Sequence, residues 1–240
     1  YGIVGIALLG GIVWSTVIFY RSSYDIAVGL DELGNSGDGE KSKLTESGDM
    51  ALASQTVVLG DHEAMFRIAE PFKIAVAAEN VGKGRFMAWS PDGRLFVPDM
   101  VNYNLSHDGR ILILEKFNEE TRRFEKQSVY LSGLRTPNSV AFYKDKDGVD
   151  WLYVALTEHL VRYRYRAGDT TPSSKPEVVR KFPNTQSPGE KSVVWHITRT
   201  LLFHNDTLYV SVGSGCNACE QPSGDMRAMV IAMEPDGSNA

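Results

Sequence analysis

The chain has 240 residues, 42% hydrophobic and 10% aromatic, with a net charge of −5 and a pI near 5.6. That length suits one or two domains with a substantial core. There is no basic stripe and no Lys/Arg run, so nucleic acid is excluded as the expected partner.

Residues 2–20, GIVGIALLGGIVWSTVIFY, carry no charge. As a helix, roughly 19 residues just cross a ~30 Å hydrocarbon core. Trp14, Tyr20 and Arg21 stand toward one end, as interface anchors do. The expectation is a transmembrane anchor over residues 1–21. A cleaved signal peptide is disfavoured because no small-x-small site follows directly. A buried soluble helix is disfavoured because both the segment's faces are apolar.

Residues 22–70 hold the acidic excess, net −7, whereas residues 71–240 sum to +1. Ser22–Ser54 is rich in Gly, Ser, Asp and Glu and poor in aromatics. Such a stretch buries too little apolar surface to offset its ordering entropy. Residues 22–70 are therefore read as a flexible acidic linker. The chain starts on Tyr1 and ends on the turn-like EPDGSNA, and both ends are read as cut.

From Pro71 onward, short β-rich runs alternate with Gly/Pro/Asp/Asn turns, which predicts an all-β domain over 71–240. SPDGRLFV (Ser90–Val97), KDGVDWLYV (ending at Val154) and HNDTLYV (His204–Val210) share a layout: a polar turn, then Leu, an aromatic residue and Val. Leu95, Leu152 and Leu208 recur at intervals of 57 and 56 residues. An apolar strand end precedes each turn and another strand follows each copy. A period near 50 residues with about four strands per unit is the signature of β-propeller blades. Three such units do not close a ring, because each blade buries its faces only against its neighbours.

The segments entering the first strand of each unit are GRFMAWS, RTPNSVAF and WHITRTLLF. Their leading polar residues should converge on one mouth of the channel: Arg85, Asn138, His196 and Arg199. A histidine there suits general-base work, since its unperturbed pKa lies near neutrality. An arginine suits an anionic cofactor or a developing oxyanion. The plainer reading is that His196 hydrogen-bonds a neighbouring blade. Strand alternation would put Arg199 on the face opposite His196 unless a bulge intervenes.

RTPNSVAF, WHITRTLLFHNDTLYVSVGSGCNACE and RAMVIAMEPDGSNA resemble the glucose/sorbosone dehydrogenase family. The resemblance spans about residues 71–240 and is most specific over residues 195–220. It implies the first half of a six-bladed propeller that oxidises a sugar with pyrroloquinoline quinone (PQQ). It implies that His196 is the general base. Candidate cofactor contacts are Asn138, Arg85 and Arg199. Calcium is the second implied cofactor, with its ligands expected beyond residue 240, so no metal ligand is assigned within the chain. One departure is Asp99, where the family carries a basic residue, which puts an anion contact there in doubt. With the N-terminal segment, the whole reads as a membrane-anchored, exported sugar oxidoreductase handing electrons to a further acceptor. Two rivals stand beside it. One is a non-catalytic propeller that binds glycans or proteins. The other is a calcium-dependent lactonase-like propeller, for which Asp99 and Glu158 are the candidate ligands.

Cys216 and Cys219 form a C-x-x-C. Two thiolates are too few for structural zinc. A disulfide suits an exported protein, and free thiols are the alternative. Asn205-Asp-Thr207 fits a glycosylation sequon in an expected exposed turn, as a pattern that also arises by chance.

Overall fold

The computed structural model describes residues 3–6, 16–20, 51–102, 106–183, 196–215 and 226–240. The described residues are all-β. The core of the architecture is three antiparallel sheets in chain order. The first contains β6 (Ala88–Trp89), β7 (Leu95–Asp99), β8 (Gly109–Asn118) and β9 (Arg123–Leu134). The second contains β10 (Ser139–Lys144), β11 (Asp150–Ala155), β12 (His159–Arg164) and β13 (Glu177–Lys181). The third contains β14 (Arg199–His204), β15 (Thr207–Val212) and β16 (Met229–Met233). Each sheet is a simple up-and-down meander, as in propeller blades.

The three Leu-aromatic-Val runs are the second strands β7, β11 and β15, as the repeat predicts. The turns before them reverse the chain by different chemistry. Gly93 and Gly148 take φ of 79° and 78°, a region open to glycine at no steric cost. The third turn uses Asn205 and Asp206 at φ 46° and 58°, side chains that tolerate this region best after glycine.

Alternation along the second strand explains how the sheets stack. On β11, Leu152 and Val154 enter a cluster with Phe96, Ile111 and Ile113 of the first sheet. Trp151, Tyr153 and Ala155 point the other way, into a cluster with Leu201, Leu208 and Val210 of the third. Side chains two apart share a face, so one strand feeds two interfaces and is buried throughout except at Asp150. Edge-to-face rings at the first interface (Phe96 with Tyr130, Phe142 and Tyr165) fix its geometry.

The first strands of neighbouring sheets also touch. Phe86 forms a parallel bridge with Ser139, with Phe86 N–H donating to Asn138 O at 3.0 Å and Val140 N–H to Phe86 O at 3.2 Å. Leu201 N–H donates to Ser139 Oγ at 3.2 Å. At the turn end of the first two sheets, Arg94 donates to Tyr165 Oη at 2.6 Å and to Asp169 O at 2.8 Å. Asp92 accepts from the Tyr165 hydroxyl and from Gly168 N–H.

β3 (Leu52–Leu59) and β4 (His62–Ala69) form a hairpin inside the range expected to be a flexible linker, which corrects that expectation over these residues. Its inward residues Val57 and Ile68 pack on Ile74 and Val76 of β5 (Lys73–Ala78). The Gln55 amide docks the hairpin, donating to Phe72 O at 2.9 Å and accepting from Ile74 N–H at 3.1 Å. Of the segment expected as a helical anchor, Ile3–Ile6 (β1) and Thr16–Tyr20 (β2) are extended and paired, β2 alongside β5. Ile, Val and Thr dominate these two runs, and β-branched side chains favour strands. Residues 7–15 of that segment lie outside the described residues, as do residues 21–50 of the linker. No helix among the described residues is long and apolar enough to cross a membrane.

Candidate functional site

The loops leading into the first strands and out of the second strands gather at one end of the three sheets. There the four residues singled out in the sequence are joined by a chain of hydrogen bonds. Arg85 Nε donates to Asn138 Oδ1 at 2.9 Å. Asn138 Nδ2 donates to the backbone oxygen of Arg199 at 2.8 Å. Arg199 Nη1 donates to the backbone oxygens of His196, at 3.2 Å, and Thr198, at 2.9 Å. The His196 ring then meets Ser214 Oγ through Nδ1 at 2.9 Å.

His196 is not a strand residue. β14 starts at Arg199, and His196 has φ 48°. The alternation argument that set Arg199 opposite His196 therefore does not apply, because alternation counts only along extended backbone. Gly213 explains how the kink is accommodated. A Cβ on Gly213 would lie 2.2 Å from His196 O and 2.8 Å from His196 Cβ. Only glycine lets the two backbones approach this closely.

Arg199 is fully buried. Its Nη1 is used, but Nε and Nη2 have no hydrogen-bond partner among the described residues. Its guanidinium carbon lies 5.5 Å from the Phe182 ring centroid. Burial, and then the charge of Arg227, pull its pKa down to about 10. A buried cation beside a second cation, with no carboxylate partner among the described residues, is costly. Such a group suits an anion.

Asn138 is fully buried as well and fully engaged. Its main-chain N–H adds a bond to Ala155 O at 2.9 Å. Beside it, the Thr136 and Thr157 hydroxyls hydrogen-bond to each other in the buried interior. Arg135 pairs with Glu158 at 2.6 Å.

Asp99 has a different task from the basic residue expected at its place. Its carboxylate accepts from Lys83 N–H at 2.8 Å, Val101 N–H at 2.9 Å and Arg110 Nε at 2.7 Å. Gly82 leaves room for it, since a Cβ there would sit 2.5 Å from Asp99 Oδ1. With Asp99 spent on Arg110 and Glu158 on Arg135, neither lactonase candidate is a free carboxylate. No cluster of three or more His, Cys, Asp or Glu able to hold a metal occurs among the described residues. Cys216 and Cys219 lie outside the described residues.

Sequence reasoning missed Ser214, Gly213 and Arg227. The SVGSG run that carries the first two is visible in the sequence. Its cysteines drew the chemical reading, whereas a serine gains meaning only from the ring it faces.

Residues 61–237 match the family model of a domain of unknown function, DUF7133. No protein with a curated description matches the chain. Among solved structures, the holo form of the pyranose dehydrogenase PQQ domain from Coprinopsis cinerea aligns with a TM-score of 0.53 at 16% identity. That alignment covers 75% of this chain and 40% of the other. The calcium structure of the Trichoderma reesei carbohydrate-active enzyme of family AA12 aligns at 19% identity and a TM-score of 0.48, covering 66% of this chain and 36% of that one. Its iodide structure aligns at 21% identity with the same TM-score, covering 68% and 38%. The chain thus spans well under half the length of these structures. At such identities the Coprinopsis likeness speaks for the fold, in agreement with three meander sheets stacked as blades. The family match extends over more than half of the sequence, and the chain belongs to the DUF7133 family.

Proposed function

We propose that this chain is part of a quinoprotein sugar oxidoreductase in which His196 is the general base and PQQ the redox cofactor. The observation that carries this reading is the hydrogen-bonded run Arg85–Asn138–Arg199–His196–Ser214, which brings a basic ring and a buried guanidinium, partly unpartnered among the described residues, to one end of the three sheets. The fold likeness to the Coprinopsis PQQ domain supports it. The exposed Leu202 and Val230, on the face of the third sheet turned from the second, suit the packing of a further blade, in keeping with a six-bladed ring.

The residues present fit an anionic quinone. The Nε and Nη2 of Arg199, which have no hydrogen-bond partner among the described residues, offer two donors in the fixed fork that matches a carboxylate. Asn138 and Arg85 brace the backbone beside it. When bound, PQQ would supply the acceptor for a hydride leaving a sugar carbon. The part played by this chain is to take the hydroxyl proton from that carbon at His196 Nε2, while Nδ1 stays engaged with Ser214. Calcium would be held by residues outside this chain.

The test is dye reduction by the full-length protein with PQQ and calcium over a panel of aldoses and sorbosone. Reduction that requires PQQ and a sugar is expected. No reduction with any sugar, despite bound PQQ, would overturn the reading and favour a propeller that binds glycans without oxidising them.

A further inference from the structure

His196 is held at three points. Arg199 Nη1 grips its carbonyl oxygen at 3.2 Å. Gly213 lies against its backbone so closely that a Cβ would overlap its oxygen. Ser214, the next residue, meets its ring Nδ1 at 2.9 Å. The left-handed backbone at His196 needs such support, because that region disfavours any side chain with a Cβ.

A neutral imidazole carries its proton on one nitrogen, and the partner of the other nitrogen decides which. A hydroxyl is able to donate or accept. A base acting through Nε2 carries its proton on Nδ1, which then donates to the Ser214 oxygen. Gly213 O accepts from Ala228 N–H at 3.2 Å, which holds the Ser214 segment in place.

We propose that Ser214 is a positioning residue for His196: its Oγ accepts a hydrogen bond from Nδ1–H, which keeps the proton on Nδ1 and leaves the lone pair on Nε2. The proposal rests on His196 being the base, and Gly213 makes the contact possible. The adjacent pair Gly213-Ser214 then has one purpose, with the glycine admitting the histidine backbone and the serine orienting its ring.

The experiment follows the ring nitrogens of His196 by 15N NMR in the full-length protein, with His196→Gln identifying the signals. The expected wild-type spectrum is one tautomer, protonated on Nδ1. Ser214→Ala should give a mixture of tautomers and a kcat about 10-fold lower with KM little changed, since orientation of the base acts on the chemical step. Ser214→Thr, which keeps the hydroxyl, should restore both. Ser214→Asp should move the acid limb of the kcat/KM profile upward by about one pH unit, because an adjacent carboxylate favours imidazolium. If Ser214→Ala fails to fold, Ser214→Cys, close in volume and a poor acceptor, gives the same reading. An unchanged tautomer and pH profile in the Ala and Asp variants would overturn the proposal. A changed tautomer in a protein that oxidises no sugar would uphold the positioning role and defeat the sugar oxidoreductase reading.

Discussion

Asn138 and Arg199 lie 61 residues apart, and a 2.8 Å hydrogen bond from the Asn138 amide to the Arg199 carbonyl ties the second sheet to the third beside His196. The same amide accepts from Arg85, in the segment leading into the first sheet. One buried side chain therefore connects all three sheets at the end where the candidate site lies.

Asn138→Ala should remove both bonds and leave the Arg199 carbonyl short of a donor. The expected loss is about 1–3 kcal/mol, the cost of leaving buried polar groups unsatisfied. Urea denaturation measures it. A change below a few tenths of a kcal/mol would show that the sheets hold their register without the link.

Asp92 predicts a pH dependence. Burial alone would raise its pKa, but hydrogen bonds from Ser90, Tyr165 and Gly168 and the Arg94 charge outweigh burial and bring it to about 2. A carboxyl with a lowered folded pKa contributes stability above its unfolded pKa of about 3.9 and loses it as pH falls through the folded value. Wild-type stability should fall between about pH 5 and pH 2. With allowance for solvent screening, the share due to Asp92 is about 1–2 kcal/mol. Asp92→Asn should flatten that part of the profile in thermal melts at graded pH.

Arg199 predicts opposite effects on stability and on binding. Replacing a buried cation that has no carboxylate partner among the described residues with a methionine of similar reach should leave the stability of the cofactor-free protein within about 1 kcal/mol, or raise it. The loss of two carbonyl bonds offsets part of the gain. PQQ affinity should fall by at least about 10-fold, because a charge-assisted pair is gone. Calorimetric titration and denaturation of Arg199→Met check the two halves separately. Undiminished affinity would remove Arg199 from the cofactor site.

Much of the fold could be read from the repeat. Leu95, Leu152 and Leu208 mark the second strand of each sheet because a tight turn and an apolar alternation leave a plain local trace. The grouping of Arg85, Asn138, His196 and Arg199 was legible for the same reason, since equivalent positions in stacked units converge. The hairpin Leu52–Ala69 was hidden by its acidic, Gly-poor alternation next to a disordered-looking stretch, and only burial of Val57 and Ile68 against β5 gives it meaning. The left-handed backbone at His196 has no signature in its own sequence. Gly213, 17 residues later, accommodates it, and a separation of 18 residues conceals Ser214.

If His196 takes the sugar's proton, its loss acts on the chemical step and not on cofactor binding. The deciding comparison is wild type against His196→Asn in the full-length protein, with steady-state dye reduction read alongside PQQ affinity. The expected outcome is a fall in kcat of about 10²–10⁴-fold, the range for a lost general base, with PQQ affinity unchanged. A variant that binds PQQ and reduces dye at the wild-type rate would remove His196 from that role.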